Sequence, residues 1–192
     1  MKKQTRSPQA FEKMARAPQN AAATDIVELI LNDHTPLKLL IETLKNIEIE
    51  RPEKAEPLEE FVFLLRGHAK AEEKSLYAAM KSFAPLKIQS FEGDTEHAIA
   101  EQLIHEINAT SSDEAWLAKV KVLAESVENH IEEEETLTLK KVQSEMTKEL
   151  RMKIGNEYTQ NYDEYIKLST IRPTHNPRFN KSGSQIYSRI SP

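Results

Sequence analysis

The sequence predicts an all-α fold: a four-helix bundle with an additional C-terminal helix and an extended tail. Three observations carry this. Glycine is scarce, 4 in 192 residues, and several of the 9 prolines lie near the ends, so the middle lacks the turn chemistry of an all-β fold. Apolar residues recur at spacings of three and four through several stretches, the signature of helices with one buried face. Those apolar stripes are interrupted by histidine and glutamate at matching places, which ties the helices to one shared interior.

Residues 1–23 are polar and Ala/Pro-bearing, and read as a flexible arm. The bundle is expected over 24–145. A first helix is expected from Thr24 as N-cap to about Ile49, with Val27, Ile30, His34, Leu37, Ile41 and Leu44 along one face. Pro36 inside it removes a backbone donor and predicts a kink near Asn32 and Asp33. After the Arg51-Pro52 break, a second helix aligns Leu58, Phe61, Leu65, His68, Glu72, Leu76 and Ala79. The stretch from Ser82 to Gly93, with Pro85, reads as a connection, in which Leu86 to Phe91 has room for a helical turn.

Asp94 is a fair N-cap for a third helix to about Asn108, placing His97, Glu101 and Ile104 on one line beside Ile99, Leu103 and Ile107. Ser111 with Glu114 fits a capping box opening the fourth helix, expected to reach about Val142. Its stripe is Trp116, Val120, Leu123, Val127, His130, Glu134 and Leu137. The additional helix, over 146–169, is expected from about Thr147 to Lys167 and covers the bundle with Leu150, Ile154 and Tyr158. Beyond it, 170–192 reads as a basic extended or disordered tail.

The net charge of −5 hides an asymmetry: Met1 to Pro18 holds five Lys/Arg against Glu12 alone, and nothing after Glu164 is acidic. No basic stripe with interleaved aromatics runs along the helices, which argues against a nucleic-acid-binding domain, while the basic tail suits a protein partner. The absence of cysteine excludes disulfides, iron–sulfur clusters, thiolate-held zinc and a thiol nucleophile. No apolar run approaches the ~18 residues of a membrane span, and the N-terminus lacks the apolar run of a secretion signal, so the cytoplasm is the expected location.

Residues four apart on a helix point the same way, so His68 with Glu72 and His130 with Glu134 form two N,O ligand pairs. His34 adds an imidazole from the first helix and His97 one from the third, with Glu101 one turn further. Burying these groups costs several kcal/mol, on the order of a whole stability margin, unless they pair or ligate a metal. The mixture of imidazole and carboxylate suits iron or manganese, with zinc possible. His105 lies eight residues from His97, ~12 Å along the axis, too far to serve the same cluster. A single His-x-x-x-Glu is weak, because i,i+4 pairs are common on exposed helix faces. Glu132, Glu133 and Glu135, with Glu28 and Glu73, read as solvated face; His105 and His175 read as ordinary surface or packing histidines, and Trp116, Phe61 and Phe63 as core.

The ordered set resembles the hemerythrin-like HHE cation-binding family. Its motif order is met by Asn32-Asp33-His34, His68-Ala69-Lys70-Ala71-Glu72-Glu73, Glu96-His97 and His130-Ile131-Glu132-Glu133-Glu134-Glu135, over roughly 25–142. The resemblance implies an up-down-up-down bundle holding a non-haem di-iron centre, with Glu72 and Glu134 as bridges and His34, His68, His97 and His130 as terminal ligands. Two departures stand out. Where oxygen carriers of this type place a second histidine one turn along the third helix, this chain has Glu101; their last carboxylate is an Asp five residues after its His, whereas Glu134 follows by four. The iron–sulfur-repair branch also carries a cysteine module that a chain without cysteine lacks.

The first functional expectation is a di-iron protein that senses or binds oxygen, peroxide, nitric oxide or iron, with a carboxylate-rich site favouring the ferric state over reversible oxygen carriage. The second is an enzyme, an oxidase or peroxide-decomposing catalyst built on the same site. The third is a structural or interaction bundle without metal, its function carried by the tail. Catalytic residues distinct from the metal candidates are not evident.

Overall fold

The structure, a computed structural model, describes residues 24–171, with side chains through 169. The arm over 1–23, the tail beyond the last helix and His175 lie outside the described residues. Within them the chain is helical and contains no strand: α1 (Ile26–Lys45), α2 (Arg51–Lys74), α3 (Leu76–Met80), a 3-10 turn (Ala84–Leu86), α4 (Lys87–Ala109), α5 (Asp113–Glu133), one π-turn (Glu134–Thr138), α6 (Leu139–Glu145) and α7 (Lys148–Ile171). The result is a helical bundle: α1 packs against α2, α5 and α7, α4 against α5, and α7 lies along α2.

Several boundaries differ from expectation for local reasons. Asp25, not Thr24, caps α1, its Oδ1 accepting from Val27 N at 3.1 Å, and the helix ends at Lys45. It ends there with help from Lys54, whose buried ammonium donates to Leu44 O at 2.8 Å and satisfies a carbonyl that the helix leaves free. α1 remains helical on both sides of Pro36. Ser112, one residue later than expected, caps α5 by accepting from Ala115 N, and its hydroxyl donates to Glu114. α4 begins at Lys87, not at Asp94, which instead pairs with Lys81 at 2.7 Å.

The third-helix line also needs correction. The buried positions of α4 run Ser90, Gly93, His97, Ala100, Ile104 and Ile107, stepping by three and four. Glu101 is one residue past Ala100, about 100° around the helix, and is exposed, as is Ile99. In the fourth helical stretch the π-turn inserts extra backbone after Glu133. Leu137 is therefore turned outward, 41% exposed, while Thr138 and Leu139 take the inward positions.

Two apolar clusters form the core. One contains Leu37, Ile41, Leu44, Phe61, Leu65, Ile104, Trp116, Val120 and Leu123; the other contains Ile26, Leu29, Ile30, Leu76, Tyr77, Met80, Ile154 and Tyr158. In α1 the second cluster holds Ile30 and the first holds Leu37, and His34 lies between. In α2, His68 lies between Leu65 of one and Ala71 of the other. A polar layer thus divides the core across its helices.

α7 contributes to this core as an integral element. Ile154, Tyr158 and Tyr162 are buried. Two glycines permit its approach: a Cβ on Gly155 would stand 2.0 Å from Thr24 O, and one on Gly67 would stand 3.0 Å from the Tyr165 ring. Arg151 ties the same end down, donating to both Asp25 carboxylate oxygens and to Met146 O.

Candidate metal centre

Six of the seven side chains singled out by sequence converge in the polar layer. His34, His68 and Glu134 place one ligand atom each within 4.8 Å of one another, and Glu72, His97 and His130 do the same. All six are buried, none more than 7% exposed. Glu72 spans the two groups, with Oε2 3.1 Å from His68 Nε2 and 3.5 Å from His97 Nε2. Glu134 Oε2 lies 3.3 Å from His34 Nε2. The imidazoles meet edge to face, at 5.0 Å for His34 with His68 and 5.0 Å for His97 with His130.

Glu101, the seventh, stands apart. It forms a two-pronged ion pair with Arg66, Nε to Oε2 at 2.9 Å and Nη2 to Oε1 at 2.5 Å, on a half-exposed face. Its position on α4 explains this, since it lies about 100° away from the inward row. Glu101→Gln is therefore expected to leave metal content unchanged and to alter stability by less than about 1 kcal/mol, as for an exposed ion pair. Metal analysis beside a thermal melt checks it.

The outer nitrogens of the histidines are all engaged. His34 Nδ1 meets Glu135 Oε1 at 2.9 Å, His97 Nδ1 meets Glu73 Oε1 at 3.2 Å, and His130 Nδ1 meets Glu96 Oε2 at 2.6 Å. His68 Nδ1 meets the Tyr158 hydroxyl at 3.0 Å, and that hydroxyl donates to Asp33 Oδ2 at 2.7 Å. Because the phenol proton goes to Asp33, its oxygen accepts from His68. These partners assign the proton of each neutral ring to Nδ1 and leave the Nε2 lone pair facing inward.

Glu73 is exposed, as expected of a solvated face, yet its carboxylate reaches His97; Glu135, expected to be solvated face, is partly buried and also accepts from Lys38 at 2.7 Å. Asp33, Glu73, Glu96 and Glu135 are each adjacent in sequence to an inward residue, yet each serves a histidine on another helix. A neighbour in sequence sits about 100° around the helix, at the seam with the next one. That adjacency was the available signal. Tyr77 and Tyr158 had none beyond being large core residues.

The inward atoms pose a physical problem that a cation answers. Nε2 of all four histidines, both oxygens of Glu72 and Oε2 of Glu134 are buried without a hydrogen-bond partner. With neutral rings protonated on Nδ1 and the carboxylates ionised, the state that a metal requires, the close Nε2-to-carboxylate approaches set acceptor against acceptor. Each such orphan costs about 1–3 kcal/mol, more when charged. Convergent imidazole nitrogens and carboxylate oxygens are a donor set suited to divalent or trivalent metal ions, so the residues fit a metal.

Protonation of the metal-free centre follows the same geometry. Burial, with the charge of Glu134, pushes the Glu72 carboxyl up. Burial acts on Glu134 in the same sense but is outweighed by the facing His34 and His130, which hold it down. Burial opposes charge on His130, yet Glu96 and Glu134 raise it to about 9. Burial and the neighbouring His34 hold His68 down at about 3.

The sign of the pH dependence is fixed by these shifts. His130 and Glu72 bind protons more tightly folded than unfolded, so the metal-free protein loses stability as pH rises from 6.5 to 9. His68 works oppositely, but only below pH 6.5. A metal requires the deprotonated ligands, so the gap in unfolding midpoint between metal-loaded and metal-free protein is expected to widen over that window. A metal-free midpoint that climbs from pH 6.5 to 9 would contradict this.

Tyr77 closes one side of the centre. Its hydroxyl donates to Glu134 Oε1 at 3.1 Å and its ring stacks on His97 with centroids 5.5 Å apart. Gly93 makes the space, since a Cβ there would stand 2.6 Å from the Tyr77 ring. Beside Tyr77 a small cleft of about 20 Å³ reaches inward, lined by Gln89, Glu92, Gly93, Glu96, Glu133 and Thr138 together with His130 and Glu134. That volume admits a water-sized molecule.

Comparison with the curated proteins and with the solved structures finds no match. The family model described as hemerythrin HHE cation binding domain matches residues 25–142, a span that contains all six convergent residues and both carboxylate–histidine pairs. With more than half of its length matched, and with the buried His and Glu layer at the motif positions, the chain belongs to the hemerythrin HHE cation-binding family.

Proposed function

We propose that the chain is a non-haem di-iron protein that senses or binds a small ligand, oxygen, peroxide or nitric oxide, or responds to iron supply. The observation that carries this reading is the set of unpartnered, buried Nε2 and carboxylate atoms arranged in two groups spanned by Glu72. His34 and His68 with Glu134 would hold one ion, and His97 and His130 with Glu72 the other, the two carboxylates bridging. Iron at such a site supplies redox change and reversible binding of small ligands; manganese or zinc suits the same donors.

The protein's own groups prepare the place. The outer carboxylates and Tyr158 hold the rings in orientation, the two apolar clusters keep bulk water from the layer, and Tyr77 offers a hydroxyl where Glu134 meets the cleft. An up-down-up-down arrangement is part of the proposal. The supporting carboxylate precedes its inward neighbour at Asp33 and Glu96 and follows it at Glu73 and Glu135. Alternating order of this kind is what one rotational sense around the bundle requires when successive helices alternate in direction.

A second reading, an oxidase or peroxide-decomposing enzyme, draws on the cleft beside a hydroxyl donor. Titrating the iron-loaded protein with peroxide, and separately with nitric oxide or azide, distinguishes the two. The sensing reading expects a stoichiometric optical change that saturates near one equivalent per centre and is lost in His130→Ala. Sustained peroxide turnover abolished by Glu72→Ala would favour the enzyme, and no optical response to any of these ligands would count against both. The basic tail is proposed as a contact for a protein partner, and the cytoplasm as the location; among the described residues no helix is long and apolar enough to cross a membrane.

A further inference from the structure

A centre buried this deeply needs a way in for its metal. We propose that the cleft beside Tyr77 is the loading route of the site, a transit site for divalent cations that exchange hydration water for the carboxylates of Glu92 and Glu133 at its mouth and pass inward dehydrated. The inference rests on the metal-binding reading of the layer beneath it. His130 and Glu134, one from each of the two convergent groups, line the cleft. Both are at least nine-tenths buried, and His130 Nε2 and Glu134 Oε2 have no hydrogen-bond partner. A cation passing the mouth therefore has a residue of each group as its next ligand inward, reached by a shift of side chains at the cleft floor.

Charge identifies what the cleft admits. Glu92 and Glu133 are exposed at its mouth, and Glu96 stands half-exposed beneath them with its carboxylate on His130. Lys141, whose ammonium meets the Gln89 amide oxygen at 3.1 Å with that amide turned, keeps its positive charge beside the rim and is outnumbered by the carboxylates of Glu92, Glu96 and Glu133. A net negative charge around a narrow opening raises the local concentration and capture rate of cations, by ~10–10³-fold where the field is strong, and repels anions. A neutral diatomic molecule gains nothing from it. The lining is thus matched to the metal and not to the small ligand that the loaded centre would bind.

The test is stopped-flow uptake of Co(II) by folded, chelator-stripped protein, followed by its visible absorption, with the final metal content measured separately. Glu92→Gln/Glu133→Gln is expected to lower the loading rate about tenfold at low salt, to flatten its salt dependence and to leave the final content unchanged. Glu48→Gln/Glu59→Gln, the same charge change on exposed residues elsewhere, is expected to load at the wild-type rate. Equal loading rates for wild type and both double variants would overturn the route while leaving the metal reading intact. Wild-type protein that takes up no cobalt at all would overturn the metal reading, and the route with it.

Discussion

Glu72→Leu is expected to make the metal-free protein more stable and at the same time to reduce its capacity from two metal ions to one at most. Both carboxylate oxygens of Glu72 are buried without a hydrogen-bond partner, and its carboxyl is pushed up by burial and by Glu134. Removing an uncompensated buried carboxylate, and filling its place with an apolar side chain of similar size, is expected to stabilise by about 1–3 kcal/mol. For a domain of this length that is a rise of ~2–12 °C in unfolding midpoint. The same change deletes the one carboxylate within 3.5 Å of histidines in both groups. Melts in chelator, paired with metal analysis after reloading, check both halves. A metal-free variant less stable than wild type would show that Glu72 has a structural partner and would undercut the argument from orphaned atoms.

Gly155→Leu is expected to be the most damaging single substitution outside the polar layer. A Cβ at this position would stand 2.0 Å from Thr24 O and 3.2 Å from Ile26 N. Those are backbone atoms at the start of α1, so no side chain can swing aside; α7 or the α1 terminus must move. Overpacking against backbone costs about 3 kcal/mol or more, a fall of ~6–12 °C in midpoint. The displacement also pulls Tyr158 from between His68 and Asp33, so weaker metal binding is expected beside the lost stability. An unchanged midpoint would mean that α7 is not fixed against α1.

The contrast between these two sites explains what the sequence made legible. The inward residues were readable because they occupy positions where helical period demands apolar side chains: His34 among Ile30 and Leu37, His68 and Glu72 after Leu65, His130 and Glu134 after Val127. A charged group in a buried row is a local contradiction that needs no tertiary information to see. Glu101 was misplaced because His97 can be followed by a step of three or of four. The chain continues through Ala100 to Ile104, a choice that only the packing against neighbouring helices decides.

The supports were harder to read for a related reason. Glu73, Glu96 and Glu135 lie in acidic surroundings that look like solvated surface, and a carboxylate at a seam between helices has the same sequence signature as one in water. The π-turn after Glu133 was equally hidden, since Leu137 fits the α-helical stripe and only the inserted backbone turns it outward. α7 was legible as an amphipathic helix, but the hydroxyl of Tyr158 on His68 depends on the two close approaches at Gly67 and Gly155.

The central claim, that these six side chains hold two metal ions, is tested most directly by counting metal. Purified protein, stripped and reloaded anaerobically with Fe(II) and then exposed to air, is expected to retain two irons per chain. It should also show near-ultraviolet charge-transfer absorption that azide alters, and Glu72→Leu should lose both signatures. A chain that retains no iron, and whose unfolding midpoint is the same with and without chelator, would contradict the account.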